Sequence, residues 1–315
     1  MPVFSPLDRI ASLPWLDSAL GWAEAPLHRL PSPLRDALHG IWLGHPLHPA
    51  LAQSPIGFWT SAALLDVLAG ASSPGPARDH LDKTAGTLIA AGLATAPLAA
   101  ASGLTDWSQL DRPRQRIGVV HAALNTVGVG LAAASLIARR RGRSGGARWL
   151  SLAGAGVTGL AAGVGGHLSY RHAAGVNHAP DVPADIPALP AALLDGADDQ
   201  PDGSLDGRPA WTTVTGLGEL VDSRPARGML GDVPVVVVLR DDQVHVLAHA
   251  CSHLGGPLSE GQVVDDCIVC PWHGSAFRLD DGSVRHGPAT SPQPTFQARR
   301  SDDGGVQARL LSLIP

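Results

Sequence analysis

Polar and apolar positions divide the chain into stretches of different texture. In the first half charge disappears for long runs: 29 residues between Asp36 and Asp66, and 22 each over 84–105, 117–138 and 149–170. A 22-residue helix is about 33 Å long, enough to cross a bilayer core of about 30 Å. The four runs predict a transmembrane four-helix bundle over residues 40–179, with spans at about 50–70, 84–105, 117–138 and 149–169. They are rich in Ala and Gly, which lets helix backbones approach closely where lipid removes the hydrophobic drive. Trp42, Trp107 and Trp149 fall near predicted span ends, where an aromatic belt sits.

Residues 1–39 carry acids and prolines where a signal peptide has a basic and then an apolar region, so they read as a surface or interfacial segment with short helices. Residues 180–207 hold seven acids, no bases and repeated Pro. Too little apolar surface is available there to offset ordering entropy, and the stretch reads as a tether. Beyond it the pattern turns to short strands. VPVVVVLR and QVHVLAHA flank a turn at Arg240–Asp241–Asp242, and Asp-Gly turns interrupt LDDGSVR and SDDGGVQARLL. An all-β domain over 208–315 is predicted, so the fold class is a mixed two-domain chain.

Composition agrees. Charged residues make up 16% of the 315 positions and mean hydropathy is +0.10, against about 25% charged in ordinary soluble domains. The net charge of −5 is split, +5 over residues 1–180 and −10 over 181–315. Neither half is a basic nucleic-acid binder. Cysteines number three, all after residue 250, which excludes a disulfide scaffold and points to a metal or redox site.

That site is legible in the spacing. Cys251-Ser252-His253 is followed after 16 residues by Cys270-Pro271-Trp272-His273. A zinc finger pairs like ligands, Cys with Cys and His with His. Here each stretch supplies one of each, which suits a [2Fe–2S] cluster in which two His replace two Cys on one iron. Gly255, Gly256 and Gly274 would let backbone approach the sulfides, and Pro257 and Pro271 would stiffen the loops. Cys267, in the apolar CIV, reads as a buried strand thiol, and His245 and His249 as strand residues without a ligand role.

CSHLGGPL with CPWHGSAF resembles the two cluster-binding boxes of Rieske iron–sulfur proteins. The resemblance implies a stack of small antiparallel sheets, with Cys251 and Cys270 on the inner iron and His253 and His273 on the exposed one. Rieske subunits of quinol–cytochrome c reductases often cross-link the boxes by a disulfide. Gly256 and Trp272 stand at those positions, so the domain is more similar to Rieske-type ferredoxins. Ser275 matches a serine that bonds a bridging sulfide, and Phe277 stands where high-potential members have a hydrogen-bonding Tyr. An intermediate-to-low potential within the Rieske range is implied. The 42 residues after His273 are expected to complete the β fold, so an oxygenase catalytic subunit is not expected.

Histidines also mark the membrane half. His45 and His48 stand at the entry to the first span, His121 one turn into the third, and His167 and His172 at the exit of the fourth. With four spans these five share one membrane face, as does Asp106, and Asn125 follows His121 on its helix face. Polar groups in spans are costly and often functional. The arrangement suggests a b-type haem or quinone site, sharpest at His121 and His167 with His48 as the alternative to either; an inert anchor is the competing expectation. GHPLHPAL and GHLSYRHAAGV resemble an uncharacterised four-helix bacterial membrane family (domain of unknown function 2231), related to dihaem b-type cytochromes, over about residues 40–178.

Loops on one side of the membrane carry Arg78, Lys83, Arg139, Arg140, Arg141, Arg143 and Arg148. The other side has Arg35, Arg112, Arg114, Arg116 and Arg171. The bias makes the first group cytoplasmic and puts the cluster domain on the outer face of a bacterial-type cell membrane. The expected function is membrane-bound one-electron transfer to a redox partner protein or quinone. The alternatives are a membrane-tethered ferredoxin with an inert anchor serving a separate oxidoreductase, and a zinc-stabilised partner-binding module.

Overall fold

The structure is a computed structural model that describes residues 6–19, 27, 29–179, 211–301 and 304–310. The expected tether at 180–207 lies outside the described residues. The chain forms two units, Met1–Gly40 with Pro46–Gly175, and Ile41–His45 with Val176–Pro315.

The first unit is helical. Helix α1 (Ser32–His39) stops at Gly40, whose φ of +88° is left-handed. Four long helices follow: α2 (Leu47–Ala71), α3 (Pro76–Trp107), α4 (Arg112–Arg140) and α5 (Ser144–His172). Proline opens α3 at a position where no amide donor is needed. Asp111 caps α4 by accepting from the Arg114 amide at 3.4 Å. Each helix outruns its expected span by several residues, because charged and polar ends extend the turns beyond the apolar stretch.

Three of the four, α3, α4 and α5, are long and apolar enough to cross a membrane. Four apolar spans were expected. Helix α2 has the length, 25 residues, but Gln53, Ser54, Thr60, Ser61 and Asp66 dilute its apolar character.

Glycines set the packing. A Cβ on Gly92 would lie 2.2 Å from the Trp59 indole nitrogen, and one on Gly118 would lie 2.3 Å from the Trp107 ring. Gly128 and Gly154 bring α4 against α5, where the Gly128 carbonyl would lie 3.5 Å from a Cβ on Gly154. Trp107 is therefore no belt residue: it is 8% exposed and donates its indole N–H to the Gln115 carbonyl at 2.9 Å. Trp42 and Trp149 are 69% and 76% exposed.

Two of the arginines assigned to loops are buried instead. Arg139 pairs with both oxygens of the fully buried Asp66 and also reaches Asp82. Arg148 donates Nε–H to Asp82 at 2.9 Å. Two acids and two guanidiniums thus neutralise one another between helices, the condition under which charge is tolerated in a low-dielectric interior. At the other end, 3-10 turns at Pro6–Ser12 and Pro14–Ala19 are pinned to the bundle by Asp8–Arg171 and Asp17–Arg116 pairs.

The second unit is all-β. Strands β1 (Thr212–Thr215), β2 (Ala226–Leu230), β3 (Val233–Arg240), β4 (Gln243–Ala248), β9 (Thr295–Arg300) and β10 (Val306–Leu310) close a barrel in the order β1-β10-β9-β4-β3-β2. Strands β5 (Gln262–Val264), β6 (Cys267–Val269), β7 (Ala276–Arg278) and β8 (Val284–His286) form a second sheet inserted between β4 and β9. The uninterrupted valines of β3 now have a reason. Val235 and Val237 fill the barrel, while Val236 and Val238 face the inserted sheet together with Cys251 and Cys270. A strand buried on both faces needs no polar alternation. The β3–β4 turn is a two-residue one, with Asp241 and Asp242 at φ +48° and +63°, the left-handed pair that short hairpins demand.

Candidate functional site

Two loops of the β unit share one backbone design. In the first, running from Cys251 to Gly256, the Cys251 amide donates to the Gly256 carbonyl at 2.8 Å and the Gly255 amide to the Cys251 carbonyl at 2.8 Å. In the second, from Cys270 to Ser275, the Cys270 amide donates to the Ser275 carbonyl at 2.8 Å and the Gly274 amide to the Cys270 carbonyl at 3.1 Å. Gly255 and Gly274 hold φ of +75° and +76°. Each turn aims two amides at its own sulfur: those of His253 and Leu254 at Cys251, those of Trp272 and His273 at Cys270. The histidine follows its cysteine by two residues in one loop and by three in the other, so each loop delivers one sulfur and one imidazole.

The loops meet. The thiols of Cys251 and Cys270 are within hydrogen-bonding reach of each other. Accepting from Cys251, helped by the backbone amides, draws the Cys270 thiol down to about 6, while donating to Cys270 and burial push Cys251 up. The rings of His253 and His273 stand 5.0 Å apart and nearly perpendicular. Two sulfurs lie inside, in the apolar layer with Phe277, Ile268 and Leu279, and two imidazoles lie half-buried outside. Four such donors fit a dinuclear iron–sulfur group with thiolates on one iron and imidazoles on the other.

The glycines divide the work differently from expectation. Gly255 and Gly274 have open space where a Cβ would stand and are needed for their backbone angle; Gly256 is the close-approach residue, with a Cβ position 2.7 Å from the Cys270 sulfur and 3.1 Å from the Trp272 ring. Gly256 and Trp272, the positions of the disulfide in the reductase subunits, are thus in direct contact. Trp272 is 56% exposed, Pro271 is also exposed, and the indole stands edge-on to His273 at 6.4 Å. Ser275 is buried and its Oγ accepts from the Ala289 amide at 3.0 Å. Phe277 is fully buried.

Cys267 is a buried β6 thiol facing away from this group, raised by burial. His245 lies in β4, 3.5 Å from Asp280, and His249, one residue past the strand, bonds Ser259 at 2.9 Å.

One residue went unnoticed in the sequence. Gln293, between two prolines, is fully buried; its Oε1 accepts from the Ser252 amide at 3.0 Å, and its Nε2 donates to the Ala248 and Ala250 carbonyls at 2.8 and 2.7 Å. Ser252 also donates its hydroxyl to the Ser291 carbonyl at 2.7 Å. These bonds fasten the Cys251 loop. No local pattern announces them, because the partners lie 39 to 45 positions away.

The five membrane histidines do not form one group. His48 and His121 face each other, ring centroids 6.2 Å apart and perpendicular. His48 Nδ1 donates to the Ala99 carbonyl and His121 Nδ1 to the Ala161 carbonyl, both at 2.8 Å; the acceptors fix both tautomers and put the lone pair of each ring on Nε2. The Nε2 of His121 accepts from the Asn125 side-chain amide at 3.1 Å. Gly103 and Gly165 make room for the rings. His167 is not beside His121 as expected: it pairs with His172, centroids 5.0 Å apart. His45 belongs to the other unit, and Asp106 bonds the buried His39 at 2.7 Å.

Comparison with known proteins fits this division. Residues 210–297 match the Rieske [2Fe-2S] domain, and residues 44–178 match a predicted membrane protein family (DUF2231). Ferredoxin CarAc of Metapseudomonas resinovorans is 35% identical over 88 residues, 28% of this chain and 82% of that protein. The ferredoxin subunit of anthranilate 1,2-dioxygenase of Burkholderia cepacia is 29% identical over 92 residues, 29% of this chain and 85% of that protein. The ferredoxin component of biphenyl 2,3-dioxygenase of Rhodococcus jostii is 29% identical over 94 residues, 30% of this chain and 88% of that protein. Through its C-terminal third, which follows a helical region matching a predicted membrane-protein family, the chain belongs to the Rieske [2Fe-2S] domain family.

Proposed function

We propose that the chain is a membrane-bound one-electron carrier whose cluster is held by Cys251 and Cys270 on the inner iron and by His253 and His273 on the outer. The observation that carries this is the meeting of two equivalent loops, each with two amides on its sulfur, at a pair of thiols and a pair of imidazoles. The cluster, when bound, supplies a single reversible electron. The chain supplies amides that stabilise negative charge on sulfur, an apolar layer around Phe277 that excludes water, and an imidazole edge beside the exposed Trp272 where a redox partner can approach. Ser275, its oxygen already accepting from Ala289, keeps a hydroxyl proton that would be donated to the cluster when it is bound. The partner is a separate oxidoreductase, as for the ferredoxin relatives.

The helical half places this carrier in a bilayer. Helix α2 is the fourth span: its one charge, Asp66, is neutralised by Arg139, and 25 residues make about 37 Å of helix. The bias of Lys and Arg puts the cluster outside; ion pairs hold two arginines of the larger group and three of the smaller, so the sign does not reverse.

Iron and sulfide analysis with an EPR spectrum of the reduced protein tests the cluster. Two irons per chain and a rhombic Rieske signal are expected; one zinc, or a potential near the −400 mV or so of all-Cys plant-type ferredoxins, overturns it. His253→Cys or His273→Cys lowers the potential or abolishes assembly, because thiolate adds charge that neutral imidazole does not.

A second reading rests on His48 and His121. Two neutral imidazoles can ligate a haem iron through Nε2, with Asn125 releasing its bond to His121, or accept protons from a quinol. A haem absorbance band, or reduction of the cluster by a quinol analogue that is lost in His48→Ala and His121→Ala but kept in His167→Ala, supports it. Neither band nor quinol reduction leaves the helices as an anchor.

A further inference from the structure

Asp8, His167 and His172 bring three potential metal donors together at the end of α5. Asp8 lies in the first 3-10 turn, 159 positions before His167. His167 Nε2 is 3.0 Å and His172 Nε2 is 3.4 Å from the same oxygen, Asp8 Oδ1. All three donor atoms fall within 4.8 Å of one another. For an ion bound at about 2.0–2.1 Å, donors on neighbouring coordination positions lie about 2.8–3.4 Å apart, from octahedral to tetrahedral geometry. Both measured separations fall in that interval.

An ion pair alone explains the cluster less well. The carboxylate is already served by Arg171, which reaches Oδ2 at 2.9 Å through one terminal nitrogen and both oxygens at 3.1 Å through Nε, and by His167. The Nε2 of His172 is buried and, among the described residues, has no hydrogen-bond partner; its Asp8 contact at 3.4 Å lacks the alignment of a hydrogen bond. A buried nitrogen left so is costly, and a metal ion in reach of its lone pair satisfies it. Arg171, forked across both carboxylate oxygens, then acts as the outer hydrogen bond that orients a ligating carboxylate, whose Oδ1 keeps a further lone pair for the ion. Two imidazoles and one carboxylate select a divalent first-row metal over Ca²⁺ or Mg²⁺.

We propose that Asp8, His167 and His172 form a Zn²⁺-type divalent metal site, separate from the cluster and from the His48–His121 pair, that fastens the N-terminal turn to α5. Three protein ligands leave one coordination position for water. The site does not depend on the redox reading above.

The test uses the full-length, untagged protein with its cluster in detergent, stripped with a chelator and then titrated with Zn²⁺ alone. Elemental analysis is expected to find one zinc in addition to two irons, unlike the zinc in place of iron that would overturn the cluster, and zinc-edge X-ray absorption to show only nitrogen and oxygen neighbours. Asp8→Asn and His172→Gln each lower zinc retention at least tenfold while iron content stays at the wild-type level. Zinc no higher than in the stripped control, sulfur in the zinc shell, or retention unchanged in both variants overturns the proposal. Should either variant lose its iron as well, the absorption spectrum of the wild-type protein decides alone.

Discussion

Gly256→Ala isolates what close approach contributes to the cluster site. The added methyl would stand 2.7 Å from the Cys270 sulfur and 3.1 Å from the Trp272 ring, where unstrained heavy-atom contacts are about 3.5–4.0 Å. Something must retreat by about 1 Å. The sulfur cannot when it is bound to iron, since ligand distances tolerate only about ±0.2 Å. Nor can the loop move freely, because the Gly256 carbonyl accepts from the Cys251 amide at 2.8 Å and Gln293 fastens the residue that follows Cys251. Overpacking of this kind costs about 1–3 kcal/mol, and here it falls on the ligand geometry. Gly255→Ala is the matched control: φ is +75° but its Cβ meets nothing within 4 Å, so only the left-handed penalty of about 1–2 kcal/mol applies. Iron and acid-labile sulfide per chain, with EPR of the reduced protein, read both variants. Gly256→Ala is expected to lose at least half its cluster or shift its g values, while Gly255→Ala keeps a full cluster with wild-type g values and melts earlier. Full cluster and an unaltered spectrum in Gly256→Ala, with loss in Gly255→Ala, would refute the reasoning.

Phe277→Tyr should raise the potential by about 40 mV, the equivalent of one neutral hydrogen bond of about 1 kcal/mol to the reduced cluster; protein-film voltammetry measures it, and no change in a folded variant means that position 277 does not face a sulfur. Gln293→Leu leaves the Ser252 amide and the Ala248 and Ala250 carbonyls unpaired, at about 1–3 kcal/mol each, so cluster absorbance should bleach at least about 10 °C lower on heating. Equal bleaching temperatures would show that the loop does not need this anchor. Asp66→Asn leaves Arg139 only its longer contact with Asp82 at 3.3 Å and should cost up to about 3 kcal/mol, the low end for breaking a buried pair, seen as a lower melting temperature of the helices in detergent; adding Arg139→Leu should recover part of it, and a fully stable single variant would contradict the pairing.

What the sequence by itself determined were features written in local chemistry. Charge-free runs located the long helices, since the cost of an unpaired charge in lipid acts on each residue separately. The Asp241–Asp242 turn and the buried thiol of Cys267 were legible for the same reason: turn angles and strand burial depend on immediate neighbours. The two Cys–His boxes were legible because the family's chemistry demands fixed residue types at fixed short spacing. The tertiary structure alone decided which distant groups meet. It sorted five interfacial histidines into a His48–His121 pair and a His167–His172 pair, and set His45 apart. It turned Arg139 and Arg148 from loop charges into partners of Asp66 and Asp82, and Trp107 from a belt residue into a core one. It assigned Gly256 to close approach and Gly255 to backbone angle, and it supplied Gln293. Each of these depends on partners tens of positions away whose meeting is fixed by helix packing or by the inserted sheet, and no pattern within one segment encodes a distance to another.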